Sequence, residues 1–142
     1  MNNIESTLGI YGEIYQLKLL NEILTPNNKN LKTNNLFFDE IIKDIKIYHF
    51  KDKTLKNVMS LIKRYYRRFK KQPTINSISL LVKSEINNNS DRVKTINTLQ
   101  SIENINTLRR NNVILNDTQT IKIQLLLFIE RQKMLKTLNK NS

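Results

Sequence analysis

Residues 52–74 read DKTLKNVMSLIKRYYRRFKKQPT. Leu55, Val58, Ile62, Tyr65 and Phe69 recur at intervals of three and four, the signature of one buried stripe on an α-helix. Asp52 stands where an N-cap would accept a backbone N–H. Pro73 closes the element, because proline steers the residue before it away from helix, and Thr74 is placed to cap the next one. Six cations and three aromatics fall within residues 62–71. The spacing assigns Tyr65 and Phe69 to the buried stripe and Lys63, Arg64, Arg67, Arg68, Lys70 and Lys71 mainly to the other faces. Tyr66 lies between Lys63 and Lys70, at the margin of the core.

The same periodicity extends in both directions. Upstream, residues 10–24 form a helix with Ile10, Ile14, Leu17, Asn21 and Leu24 on one side, widened by Leu20 and Ile23 and stopped by Pro26. Residues 35–47 form a second, with Phe38, Ile41, Ile42 and Ile45 inward, and a break follows at Tyr48, His49 and Phe50. Downstream of Thr74, Ile75, Ile78, Leu81, Val82 and Ile86 make one apolar face. A fifth helix starts near Ser90 or Asp91 with Val93, Ile96, Leu99 and Ile102 inward, and residues 104–116 read as a loop. Asp117 or Thr118 opens the last and longest helix, to about residue 139, roughly 34 Å at the usual rise. No segment alternates apolar and polar residues over a strand's length, so the expected class is all-α. Asparagine-rich patches at 27–35, 87–89 and 111–112 are expected to join helices.

The last helix carries two apolar lines. Ile121, Leu125, Phe128 and Leu135 form one; Ile123, Leu127, Met134 and Leu138 form the other. A helix with two apolar sides needs two things to pack against. One is its own domain. The other is either the rest of the same bundle wrapped around it, or a second subunit or domain.

The chain has 142 residues, a single-domain length with room for a core, and a net charge of +12. That charge favours polyanion partners. It also follows from codon composition: 21 Asn, 19 Ile and 17 Lys stand against no Ala, two Gly and two Pro, as an A/T-rich coding sequence would produce. In residues 62–71 the cations crowd the last turns of a helix, where its dipole favours them. A solvated, dipole-complementing face and an anion-binding face for nucleic acid or an acidic partner are both open readings of Lys63, Arg64, Arg67, Arg68, Lys70 and Lys71. Because single-strand binding calls for exposed aromatics beside cations, burial of Tyr65 and Phe69 weighs toward the first.

Reaction chemistry is sparse. There is no cysteine, hence no disulfide or thiolate metal site. No GxxxxGK[ST] loop occurs, and Gly9 and Gly12 are expected only to free the turn before the first helix. His49, the single histidine, reads as a packed side chain at a helix break. Asp39, Glu40 and Asp44 read as a solvated face. No catalytic, metal or cofactor-binding residue is identified, and no cofactor is expected. The first residues lack a basic start and a long apolar run, so no signal peptide is read. The longest apolar run, residues 125–129, is far short of the ~20 residues of a membrane span. A cytoplasmic protein is expected.

Between residues 15 and 85, YQLKLLNEIL, FFDEIIKDI and YHFKDKTLKNVMSLIKRYYRRFKKQPTINSISLLVKSE succeed one another. This order resembles the N-terminal domain of DnaB-like replicative DNA helicases, the phage-type branch in particular. Gln16, Leu19, Leu20, Ile23 and Leu24 match its first helix, Tyr48 and Phe50 its aromatic pair, and Ile62, Tyr65, Tyr66, Phe69 and Pro73-Thr74 its long helix and exit. The segment FIERQKMLKTL is similar to the helix that leads toward the family's linker, through Phe128, Arg131, Gln132, Leu135 and Leu138. The likeness spans residues 12–142. It implies a compact orthogonal bundle of about six helices whose long C-terminal helix is half of a helical hairpin. Residues 1–108 would be the globular bundle, and 109–142 a loop and helix leading toward a motor domain that this chain does not contain. It also implies a non-catalytic collar that supports ring assembly and docks a primase-type or loader-type protein during DNA replication, in the host cytoplasm if viral. Unwinding by ATP would belong to the motor. The interface would draw on Ile123, Leu127, Phe128, Met134, Leu135 and Leu138, and a homo-oligomer is expected. A small basic DNA-binding replication accessory protein is the alternative.

Overall fold

The computed structural model describes residues 7–24, 36–111 and 118–140, with no side chain described for residues 36, 37, 109, 110, 139 and 140. The described residues form six α-helices and two 3-10 turns, with no strand among them. The chain is all-α. The expected stop at Pro26, the asparagine-rich turn at 27–35 and the cap at Asp117 lie outside the described residues.

Helix α3 (Lys53–Phe69) is the element that residues 52–74 foretold. The Asp52 carboxylate accepts the N–H of Thr54 at 2.6 Å. Leu55, Val58, Met59, Leu61 and Ile62 are buried. The helix ends on Lys70, whose φ of 56° is left-handed and whose N–H reaches the carbonyl of Tyr66. Helix α4 (Ile75–Glu85) follows, capped by the Thr74 hydroxyl on Ser77 N–H at 3.0 Å, with Ile75, Ile78 and Val82 buried.

Helix α1 (Glu13–Ile23) starts later than its spacing suggests. A 3-10 turn, Leu8–Tyr11, precedes it, and the chain reverses at Gly12, where φ is 93°. Glycine is required there, because a side chain would strain that conformation. The reversal breaks the helical phase. Ile10 and Ile14, expected inward, are exposed; Leu20, Asn21, Ile23 and Leu24 are buried as expected, and Tyr15, Gln16 and Leu19 join them in the core.

Helix α2 (Leu36–Ile41) is a short piece of the helix expected over 35–47. Phe38, Ile41, Ile42 and Ile45 are all buried as expected, but the backbone leaves the helix after Ile41. Two side chains explain the departure, since local hydrogen bonds compete with the helix ladder. Lys63 Nζ donates to the Ile42 carbonyl at 2.6 Å. His49 Nδ1 accepts the Lys46 N–H at 3.0 Å, closing a 3-10 turn at Ile47–His49 where the break was expected.

Helix α5 (Asn89–Arg110) runs well into the stretch that reads as a loop from Asn104. Leu99, Ile102, Ile105, Thr95 and Asn106 are buried, while Val93, expected inward, is exposed. Thr95 hides its hydroxyl on the Asp91 carbonyl at 2.6 Å. Helix α6 (Thr118–Lys140) has the expected extent.

The core is one cluster drawn from all six helices, with Phe38, Phe50, Leu19, Leu20, Met59 and Ile62 among its most deeply buried side chains. Helix α5 packs against α1, α3 and α4. Helix α6 lies on α1. Tyr15 donates its buried hydroxyl to the Ile121 carbonyl at 3.0 Å, and Thr118 meets Glu22 at 2.7 Å. Burial raises the Tyr15 phenol well above its usual value, so the group stays a donor. Two ion pairs add to the attachment: Lys122–Glu40 at 2.6 Å and Lys133–Asp44 at 3.5 Å. Glu40 and Asp44 are therefore paired across to α6, not merely solvated.

Candidate interaction surfaces

Helix α6 divides its apolar residues cleanly. Ile121, Leu125, Phe128 and Ile129 face the core. Ile123, Leu127, Met134 and Leu138 are 54, 59, 61 and 62 % exposed. At 100° per residue these four fall within one stripe, roughly 22 Å long. The wrapped-helix reading is thus excluded for this face among the described residues. Phe128, grouped with the interface by resemblance, points the other way. It is buried, with its ring 5.2 Å from that of His49 and 6.5 Å from that of Tyr11. Leu135 is half-buried at the flank.

The stripe has a symmetry that spacing arguments missed. Its positions are mirrored about the midpoint between Glu130 and Arg131: Ile123 answers Leu138, Leu127 answers Met134, and on the flanks Leu126 answers Leu135. At the centre stand an anion and a cation, both exposed. An antiparallel copy of the same helix would set Ile123 against Leu138 and Leu127 against Met134.

The end of α3 resolves into two groups of cations. Lys63 is half-buried and spends its ammonium on the Ile42 carbonyl. Burial first, then the Lys46 charge, lowers its pKa, with Asp44 acting the other way. Arg64 is ion-paired with Glu85 of α4. Arg67, Arg68, Lys70 and Lys71 stay exposed.

Among the aromatics, Phe69 departs from expectation. It is 49 % exposed, because the periodic stripe continues about two turns beyond the core's edge near Ile62. The Arg68 guanidinium sits 5.5 Å from its ring centroid, and the half-buried Tyr65 ring lies 4.7 Å away, tilted. Tyr66 packs edge-on against Phe38 at 5.4 Å, with Lys70 Nζ 5.6 Å above it. An exposed aromatic beside cations is thus present after all.

His49 is the packed side chain that its setting suggested: 3 % exposed, against Phe128 and Tyr48. Burial, reinforced by the charges of Lys46 and Lys63, lowers its pKa to about 4. It is neutral at neutral pH, and since Nδ1 accepts from Lys46, the ring proton sits on Nε2. Among the described residues no three or more His, Cys, Asp or Glu side chains are grouped as a metal would require, and no helix is long and apolar enough to cross a membrane.

The chain matches no protein family, no curated protein and no solved structure against which it was compared.

Proposed function

We propose that this chain is an assembly and docking domain: the non-catalytic N-terminal collar of a replicative DNA helicase, acting in the cytoplasm of the cell, or of the host if viral. In this reading the domain pairs subunits toward a ring and docks a primase-type or loader-type protein during DNA replication. ATP-driven unwinding would lie in a motor domain outside this chain. The residue pattern from Tyr15 to Glu85 motivates the family.

The observation that carries the assembly role is the exposed, self-complementary stripe of α6. An isologous two-fold interface needs one surface patch that answers itself, and Ile123, Leu127, Met134 and Leu138 make such a patch. Light scattering over a concentration series tests it. A dimer or larger species is expected, with Leu127→Glu shifting it to monomer. A monomer at all concentrations, indifferent to Leu127→Glu, overturns the assembly role.

The second reading, a small basic DNA-binding accessory protein, draws support from Phe69 standing exposed among Arg67, Arg68, Lys70 and Lys71. Stacking of a base on such a ring suits single strands. Binding to single-stranded DNA should then fall steeply with salt and be lost in the variant Arg67→Glu, Arg68→Glu. Absence of binding at low salt removes this reading.

A further inference from the structure

A cavity of about 400 Å³ lies between α6 and the segment that carries Asp44 to His49. On α6 it is lined by Ile129, Gln132, Lys133, Leu135 and Lys136. These positions are largely on the opposite side of the helix from the Ile123–Leu138 stripe, so both surfaces can be occupied together.

Its polar groups are mostly donors. The Gln132 carboxamide nitrogen is buried and has no partner among the described residues, a state that costs free energy until an acceptor arrives. His49 lines the same cavity. Its Nδ1 is taken by the Lys46 N–H, which leaves Nε2–H as a second donor, with no partner among the described residues. Lys46, Lys133 and Lys136 against Asp44 make the lining +2, three cations less one anion. Asp44 is engaged by Lys133, and Lys46 Nζ leans on the Lys43 carbonyl at 3.0 Å. Lys136 is exposed. The remaining lining, Ile129, Leu135 and the Tyr48 ring, is apolar.

Two neutral donors, a surplus of positive charge and an apolar wall call for an acceptor that is anionic, planar and attached to a short hydrocarbon body. We infer that this cavity binds a carboxylate group carried on a compact apolar chain. The carboxylate accepts from Gln132 and His49, its charge is met by Lys136, and its hydrocarbon part lies against Ile129 and Leu135. The site does not depend on the collar reading, because it is built from one chain and lies away from the self-complementary stripe.

Two sources offer this chemistry: the acidic side chain of a partner polypeptide, or a free small acid. Isotope-labelled full-length chain is titrated with acetyl-Leu-Glu-Leu-amide for the first and with hexanoate for the second. Acetyl-Leu-Gln-Leu-amide and hexanamide serve as uncharged counterparts. Saturable shifts of the Gln132 carboxamide and His49 ring signals are expected with one or both carboxylates, and whichever binds more tightly identifies the source. Lys136→Glu and Gln132→Leu, each checked for an unchanged circular dichroism spectrum, should weaken binding about tenfold or more, the scale of one charge-assisted hydrogen bond. Gln132→Glu, which puts a carboxylate into the cavity, should abolish it. The inference is overturned if neither carboxylate moves these signals, if the uncharged counterparts move them equally, or if Lys136→Glu and Gln132→Leu both bind as the parent does.

Discussion

Asn21 of α1 donates its side-chain amide to the side-chain oxygen of Asn106 of α5 at 2.8 Å, and both residues are buried. The same amide reaches the Ile102 carbonyl at 2.9 Å, and Asn106 in turn donates to Glu103 at 3.2 Å. A buried amide that loses its partner keeps the full cost of desolvation. Asn21→Leu and Asn106→Leu should therefore each lower stability by about 1–3 kcal/mol in urea denaturation. The double variant should cost clearly less than the sum, because neither buried amide is left facing an apolar replacement of its partner. Additive losses would show that the pair is not coupled.

His49 makes stability depend on pH. Its folded pKa lies near 4, against about 6.5 in an unfolded chain. Between those values the unfolded chain holds a proton that the folded chain refuses. The contribution is complete above pH 6.5 and is lost as pH falls through the window toward 4. The loss should be on the order of 1–2 kcal/mol once solvent screening is allowed for. As the single histidine, it gives one set of imidazole signals for an NMR titration. A midpoint near 6.5 would contradict this account.

Lys63 and the arginines that follow it should behave differently. Lys63→Met removes the donor to the Ile42 carbonyl and should cost about 1 kcal/mol. Arg67→Gln and Arg68→Gln should change stability by no more than about 0.5 kcal/mol, as exposed substitutions usually do. Thermal denaturation of the three variants separates the structural cation from the exposed ones. Equal effects would put Lys63 among the surface charges.

Lys70 holds a left-handed backbone at the end of α3, a conformation that costs a side-chain-bearing residue roughly 1–2 kcal/mol. Lys70→Gly should stabilise the chain by about 0.5 kcal/mol or more, net of the flexibility that glycine adds to the unfolded state. A lower melting temperature in this variant would mean that the ammonium over Tyr66 outweighs the backbone relief.

Much of the scaffold was legible because caps and periodicity agree. Asp52, Thr74 and the Leu55–Val58–Ile62 spacing placed α3 and α4 nearly to the residue. The failures have local causes. Gly12 resets the helical phase, so Ile10 and Ile14, at the start of the line, turned outward while Leu20, Asn21, Ile23 and Leu24 held the inner face. The carbonyl of Ile42 and the N–H of Lys46 find side-chain partners, so α2 ends early. Asn106 looks like loop composition, yet it is buried and satisfied by Asn21 eighty-five positions away, a partner that no local pattern reveals. Of the surfaces, the outer stripe of α6 was readable, but Phe128 was assigned to it wrongly because the likeness marks positions and not faces. The exposure of Phe69 was missed since spacing does not say where a core ends. The cavity beside His49 was invisible, being assembled from segments about eighty residues apart.

Along α6, full burial stops at Ile129; of the side chains from 130 to 138 only Gln132 and Leu135 are half-buried and the rest are exposed. A helical stretch that short is marginal in water on its own. Its backbone amides should exchange with solvent much faster than those near Ile121 and Leu125, whose opening requires disturbing the core. The rate gradient along this one helix is thus an intrinsic gauge of contact. Whatever settles on the outer face will slow exchange in residues 130–138 first, and the number of protected amides will give the length of its footprint.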